Sequence, residues 1–435
     1  MMIEPRVLKG FRDFLPESAA KRLSIMHRLE KVFRSFGFDP IDTPVLEYRE
    51  VLLGKGGGET DKQVYAFTDQ GGRDVAMRFD LTVPFARFMA AHLNELVLPF
   101  KRYHIDKVWR GENTQKGRYR EFVQCDFDIV GIDSASADLE ILLMMKSAFS
   151  ALGIDDISFR INHRGIFNRF LEKLGETTRS GEILRNVDKL GKIGETKLAG
   201  LLADIIGGTK SAQVLDFIKP EKDFLSTLDK LETLTGGVCE ESLRMREIHG
   251  ALEETGSAAL FVLDPSITRG LDYYTGIVYE TFLNRLPAIG SVCSGGRYNN
   301  LASLYTKHDL PGVGSSIGLD RLVAALEELG EADYAGSAPD VAVFNLDDSL
   351  SGYYHVIAAR IREAGLSCEV QLQNQKLGKQ FAWAEKRGIN LAVICGEDEK
   401  AQGKLTVKNI ATRENRSMIE LSEALSWFRS ITEGS

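Results

Sequence analysis

The sequence predicts an α+β protein: a large first domain built on antiparallel strands and interrupted by helices, then a small α/β domain. Three observations predict it. Phe100 to Gly131, FKRYHIDKVWRGENTQKGRYREFVQCDFDIVG, sets two apolar-alternating stretches around a charged loop, the pattern of a long hairpin. From about 165 to 250 the composition turns to helix-forming Leu, Glu, Lys and Arg punctuated by glycines, which predicts a helical insertion. Beyond a linker of small, polar and proline residues at 331–339, apolar runs alternate with helical ones. The expected domains are therefore 1–330, carrying the insertion, and 340–435.

At 435 residues the chain is long enough for two or three domains and a sizeable core. Hydrophobic residues at 43% and charged residues at 27% are ordinary globular values, which argue against disorder and membrane residence. No apolar run is long enough to span a bilayer, and the opening MMIEPRVLKGFRDFLPE lacks a basic-plus-apolar leader, so a cytoplasmic protein is expected. The five cysteines stand singly without C-x-x-C spacing, which speaks against zinc sites and disulfides. A net charge of -8 argues against a general nucleic-acid coater and leaves room only for local basic contacts to RNA.

Taken in order, Glu17 to Phe36 reads as a long helix with Leu23, Met26, Leu29, Val32, Phe33 and Phe36 at helical spacing. FDPIDTPVLEY starts a strand, Gly56 to Gly58 marks a mobile loop, and two short strands turn at Asp69 to Gly72. Asp80 and Thr82 share a face just before Pro84, which is expected to open a helix; they suit either a ligand ammonium or a helix N-cap. In the hairpin, Gln124, Asp126 and Asp128 alternate against Val123, Cys125 and Phe127, so one face is polar and must meet water, a ligand or compensating partners. Its loop carries Arg110, Glu112, Lys116, Arg118 and Arg120, a set that suits bidentate phosphate contacts or a solvated salt-bridged turn. Ala135 to Leu152 reads as a helix whose methionines are core, and His163 at a strand end is read as structural. RGLDYYTG at Arg269 combines an arginine, an acid and two phenols, able to face a phosphate and a polar heteroaromatic ring together. Gly295 and Gly296 permit close backbone approach, Arg297 is read as structural, and Gly312 to Leu329 is a glycine-rich strand entering a helix with Arg321. In the last domain, helices at Ser351–Glu363, near Leu377–Arg387 and near Leu421–Ser430 separate VAVFNL, SCEVQL and LAVICG, which predicts a mostly parallel sheet.

GRYREF followed by QCDFDIVG resembles the second signature motif of class II aminoacyl-tRNA synthetases in its histidyl form. KGFRDFLPE, DLTVPFAR, RGLDYYTG and GVGSSIGLDRL resemble further signatures of the histidyl-tRNA synthetase family in the same order, so the resemblance covers nearly the whole chain. It implies the class II antiparallel-sheet catalytic core with a helical insertion, an anticodon-binding domain, a homodimer, and ATP-dependent activation of L-histidine for transfer to tRNA(His). Mg2+ is implied with the leaving pyrophosphate. Carried over residue by residue, the resemblance gives Arg110 and Arg269 the α-phosphate, Arg118 the terminal phosphate, Glu112 the adenine edge and Arg321 its face. It gives Asp80, Thr82 and Gln124 the amino and carboxylate groups of histidine, and Asp128, Tyr274 and Tyr273 the imidazole. Gln115, Gln373 and Lys376 fall to the tRNA. Bacterial relatives commonly carry Arg-Pro before that glutamine where this chain has Asn113 and Thr114, which leaves the first tRNA contacts unassigned. The alternative expectation is the synthetase-like regulatory subunit of ATP phosphoribosyltransferase, which shares the core but usually lacks the last domain.

Overall fold

Helix α1 (Pro16–Ser35) opens on a proline, whose fixed φ and missing N–H suit a first helical turn. Its buried face is Arg22, Ile25, Leu29 and Phe33. That stripe shares only Leu29 and Phe33 with the expected one, and Leu23 is half exposed. Arg22 reaches Asp320 at 2.7 Å, so the buried face follows an ion pair as well as apolar spacing. The computed structural model describes residues 2–54, 63–269, 273–330 and 338–432. The glycine run Gly56 to Gly58, the acid of RGLDYYTG and most of the linker lie outside the described residues.

Strands β1 (Asp39–Pro40) and β2 (Leu46–Tyr48) lead through α2 (Arg49–Leu53) to β3 (Ala66–Thr68) and β4 (Asp74–Met77). Helix α3 (Thr82–His92) precedes the long hairpin of β5 (Phe100–Trp109) and β6 (Glu121–Val130), followed by α4 (Ala135–Ala151) and β7 (Ile157–His163). Pro84 sits inside the first turn of α3 and does not open it. The insertion is α5 (Arg164–Lys173), α6 (Ser180–Val187), α7 (Leu190–Ile193), α8 (Glu195–Ile206), α9 (Gly208–Phe217), α10 (Phe224–Thr235) and α11 (Glu240–Glu254). Then come β8 (Phe261–Leu263), β9 (Ile277–Leu283), β10 (Cys293–Arg297), β11 (Gly312–Gly318) and α12 (Leu319–Leu329).

Eight strands form the central sheet in the order β1-β5-β6-β11-β10-β9-β7-β8. Pairing is antiparallel except at the two edges, β1 with β5 and β7 with β8. Alternate residues of a strand face opposite sides, and the register makes one side polar. Arg102, His104 and Asp106 of β5 stand opposite Asp128, Asp126 and Gln124 of β6, which stand opposite Gly314, Ser316 and Gly318 of β11. On the other side Tyr103 and Phe127 pack on Phe33 of α1, with ring centres 5.7 and 5.0 Å apart. The helical layer thus backs the sheet and leaves its polar face for a site.

The chain divides into two compact units, the second comprising Pro16–Ala20 with Tyr334–Ser435. That unit holds β12 (Val341–Val343), α13 (Ser351–Glu363), β13 (Cys368–Val370), α14 (Leu377–Arg387), β14 (Leu391–Ile394), α15 (Glu397–Ala401), β15 (Leu405–Asn409), β16 (Asn415–Ile419) and α16 (Leu421–Thr432). Its sheet runs β13-β12-β14-β15-β16, parallel in the first two pairings and antiparallel in the last two, where a mostly parallel sheet was expected. Both strands of the antiparallel part were missed: β15, LTVKN, alternates but is short, and β16, NRSMI, is mostly exposed and too polar to announce itself by alternation.

Candidate active site

One cavity of about 220 Å³ opens on the polar face of the central sheet. It brings together eleven of the residues singled out in the sequence. Asp80, Thr82, Gln124, Asp128, Tyr273 and Tyr274 line it alongside Arg110, Glu112, Arg118, Arg269 and Arg321. The last five gather four guanidinium groups and one carboxylate, an array suited to phosphate oxygens.

Asp80 divides its two carboxylate oxygens. Its Oδ1 accepts from the Val83 N–H at 3.0 Å, tying down the start of α3, while Oδ2 has no hydrogen-bond partner. Burial raises its pKa, against the pull of the Val83 N–H and Arg110. Gln124 donates to Ser316 Oγ at 2.7 Å and keeps its carbonyl oxygen unpaired. An acceptor left free in a buried site carries a desolvation cost that a ligand N–H removes.

Asp128 is held from two sides. Tyr298 donates its hydroxyl to Oδ1, and Arg102 lies 2.7 Å from Oδ2. Burial raises its pKa, with Arg102 and Tyr298 pulling it back. Gly314 faces it across the strand pair, where a Cβ would come within 1.9 Å of Oδ1. The rings of Tyr273 and Tyr274 are tilted at 52° to each other with centres 4.7 Å apart.

The opposite wall is cationic. Arg110 donates through Nε to the Phe79 carbonyl at 2.9 Å, which leaves its terminal nitrogens to the cavity. Arg118 and Glu112 approach to 3.1 Å. Arg321 donates to the Ser291 carbonyl at 2.5 Å, and Gly117 of the hairpin loop lies close enough that a Cβ would touch its side chain at 3.3 Å. Burial lowers the Arg321 pKa, with Arg118 and Arg269 adding to the effect. Arg269 pairs with Glu280 and stands at φ 56°, one of three described non-glycine residues with positive φ. Such a conformation costs roughly 1–3 kcal/mol and persists where surrounding structure imposes it. Burial pulls the Arg269 pKa down, but Glu280 and Tyr274 prevail and it is raised.

Other expectations fall elsewhere. Gln115 borders a separate shallow cleft with Asn113 and Thr114, its N–H donating to the Arg118 carbonyl at 3.1 Å. Gln373 and Lys376 are exposed on the segment between β13 and α14 of the second unit. His163 is buried outside the cavity, its Nδ1 accepting from the Gly165 N–H, and burial holds its pKa at about 4. Arg297 is structural, donating to Asp138 at 2.9 and 2.7 Å. The glycine pair serves strand contact, since a Cβ at Gly295 would lie 2.1 Å from the Gly314 carbonyl. Among the described residues one trio is grouped as metal ligands would be, Asp42, His104 and Asp106. It lies outside this cavity, and Arg78, already 2.5 Å from Asp106, opposes a cation there.

A histidyl-tRNA synthetase family model matches residues 10–322, and an anticodon binding domain model matches 340–431. The chain belongs to the histidyl-tRNA synthetase family. It is 50% identical to the histidine–tRNA ligase of Treponema denticola over 443 aligned positions, covering 98% of both chains. It is similar to the crystal structure of histidyl-tRNA synthetase from Nostoc sp. PCC 7120, with a TM-score of 0.87, 33% identity, and 99% and 100% of the two chains covered. A structure titled as an ATP phosphoribosyltransferase regulatory subunit/histidyl-tRNA synthetase from Bacillus halodurans C matches at TM-score 0.74 and 22% identity, over 89% of this chain and 97% of that one. At that identity it shares the fold alone. The full-length match to named ligases favours the synthetase over the regulatory-subunit alternative.

Among the residues that escaped the sequence reading are Tyr298, which lines the cavity, and Arg102, which lies just outside its lining. Tyr298 follows Arg297, and since that arginine turns away to Asp138, strand alternation points its neighbour to the opposite side, into the cavity. Arg102 sat in an apolar-alternating strand with no signal that its cross-strand partner would be Asp128.

Proposed function

We infer that this chain is a histidine–tRNA ligase whose cavity joins histidine to ATP before transfer to tRNA(His). The observation that carries the reading is the meeting, in one cavity, of four arginines with the acceptor set of Asp80, Gln124 and Asp128. The amino and carboxylate groups of histidine are held by Asp80, Thr82 and Gln124, with Asp80 Oδ2 and the free Gln124 oxygen accepting from the ammonium, and its imidazole N–H is read by Asp128 with Tyr274 and Tyr273 alongside. ATP lies along the arginine wall, with Arg321 on the adenine face, Glu112 at its edge and Arg118 at the terminal phosphate.

The histidine carboxylate attacks the α-phosphorus, an O–P bond forms, and the bond to the leaving pyrophosphate breaks. No enzyme nucleophile is needed. Arg110 and Arg269 neutralise the charge developing on the phosphorus oxygens, and being held in place beforehand they need no reorganisation during attack. In the second step the terminal ribose hydroxyl of the tRNA displaces AMP. When bound, magnesium would supply charge neutralisation at the departing phosphates, where Glu112 and Glu280, both beside arginines of this wall, would offer it carboxylate oxygens. Gln115 in the shallow cleft serves the acceptor end, and Gln373 and Lys376 serve the anticodon, reading splayed bases by hydrogen bonds. The working division is a catalytic domain over 1–330, a linker at 331–339 and an anticodon-binding domain over 340–435. The chain acts as a cytoplasmic homodimer; among the described residues no helix is long and apolar enough to cross a membrane.

Histidine-dependent ATP–pyrophosphate exchange tests the reading. Exchange that appears with histidine and not with other amino acids supports it. Absence of exchange with histidine at saturating ATP and magnesium returns the chain to the regulatory-subunit alternative.

A further inference from the structure

Arg102 is the buried charge that the reaction above leaves without a task. Its side chain is wholly buried and does not line the cavity. From β5 it crosses to β6, placing Nη2 2.7 Å from Asp128 Oδ2 and donating to the Leu81 carbonyl at 3.3 Å. Its guanidinium carbon rests 4.3 Å from the centre of the Phe85 ring. Nε and Nη1 have no hydrogen-bond partner. The pair is thus a single charged contact made from behind the pocket floor.

The surroundings give that contact its consequence. Asp80, Asp126 and Asp128 are all buried near one another, and Arg102 lowers the pKa of each, as the leading cation at Asp126 and Asp128 and behind Arg110 at Asp80. Without it, three carboxylates in a dry site would share protons, since like charges at short range cannot all ionise. A protonated Asp128 would also be free to turn its O–H toward the ring it is meant to read. The Tyr298 hydrogen bond on Oδ1 and the missing Cβ at Gly314 seat the carboxylate, and Arg102 holds Oδ2 by charge at 2.7 Å without a hydrogen bond. An ionised carboxylate has about four lone-pair sites, so two engagements leave capacity for a ligand N–H.

We propose that Arg102 is a positioning residue for amino-acid selection: through its contact with Asp128 it holds an oriented acceptor, so that the pocket favours a ring bearing an N–H donor. The proposal rests on the reading of Asp128 as the group that meets the imidazole.

The test is steady-state pyrophosphate exchange by the full chain and its Arg102→Met, Arg102→Lys and Asp128→Asn variants. KM is measured for histidine and for ATP, together with inhibition by 2-thienylalanine, whose ring has no N–H. Arg102→Met is expected to raise KM for histidine on the order of 10²-fold, the scale of losing one partner of a buried charge pair. KM for ATP and inhibition by the thienyl analogue should stay near the parent values. Arg102→Lys should recover part of the loss, keeping the charge without the planar fork. An equal rise for histidine, ATP and the analogue would make Arg102 a structural residue and overturn the proposal. An unchanged KM for histidine in Arg102→Met alongside a raised one in Asp128→Asn would overturn it while leaving the Asp128 reading intact. An unchanged KM in Asp128→Asn would instead sink that reading. Should Arg102→Met not fold, Arg102→Lys decides: a loss confined to histidine supports the proposal, and a parental KM refutes it.

Discussion

Arg269 of the cavity and Asp126, buried on β6, do opposite things with charge. Arg269 keeps its guanidinium in place through Glu280 and accepts a backbone conformation that glycine would adopt more easily. If that strain serves the α-phosphate, Arg269→Ala should lower adenylation on the order of 10² to 10³-fold, and Arg269→Lys should restore only part of it. Single-turnover formation of histidyl-adenylate checks this, and a parental rate in the alanine variant would show that Arg269 has no catalytic part. Asp126 works the other way. Burial raises its pKa from 3.8 to about 7, opposed by Arg102 and reinforced by Asp128. Ser316 and Asp80 also act on it, and His104, kept neutral by burial with a pKa of about 3, stands opposite. A carboxyl whose folded pKa lies above its unfolded one binds the proton more tightly when folded. Its penalty is absent below the unfolded value, grows as pH rises between the two, and is complete above the folded value. Asp126→Asn should therefore gain stability over the parent between pH 5 and pH 8, by on the order of 1 to 3 kcal/mol. Urea midpoints at the two pH values measure it, and a difference independent of pH would mean that Asp126 does not hold a proton.

At the scale of elements, the site is a product of strand register. A single pairing of β5, β6 and β11 sets Arg102, Asp128 and Gly314 in one row and His104, Asp126 and Ser316 in the next. A one-residue slip would turn Asp126 and Asp128 toward the aromatic layer of Phe33 and Tyr103. Gly314 is the narrowest point of this arrangement. Gly314→Ala would bring a methyl within 1.9 Å of Asp128 Oδ1 and must displace the carboxylate or part the strands. The expected outcome is at least about a tenfold rise in KM for histidine and a loss of roughly 1–3 kcal/mol in stability, the scale of overpacking. KM for ATP should change much less. Thermal denaturation with exchange kinetics checks both, and equal effects on the two substrates would mean that the methyl disturbs the whole cavity. The N-terminal elements join the same construction, since Arg12 and Arg22 both pair with Asp320, which also accepts from the Val123 N–H at 2.8 Å.

For the whole molecule, every adenylation residue named above belongs to the first unit and precedes Tyr334. A fragment ending near Ser337 should keep histidine-dependent exchange within a few-fold of the parent while losing most tRNA charging, because an RNA-binding domain adds affinity and not chemistry. Exchange and aminoacylation assays on the purified fragment separate the two. A folded fragment without exchange would show that the second domain takes part in adenylation.

The sequence alone determined the fold class, most of the element types and the family, and it named residues that gather in one cavity. Period-two alternation announced β5 and β6, and the motifs named eleven residues that share one cavity, because both signals are local and survive without knowledge of contacts. Sequence also kept His163 and Arg297 out of the chemistry, where burial and Asp138 now account for them. What lay beyond it were facts about which surfaces meet. The buried stripe of α1 turned on Arg22 reaching an aspartate nearly 300 residues away, the polar β16 gave no periodic signal, and Asp80 proved to accept from the Val83 N–H while keeping one oxygen unpartnered. Only tertiary structure decided that Arg102 stands behind Asp128, because an ion pair between strands depends on register, and register is fixed by the packing of the whole sheet.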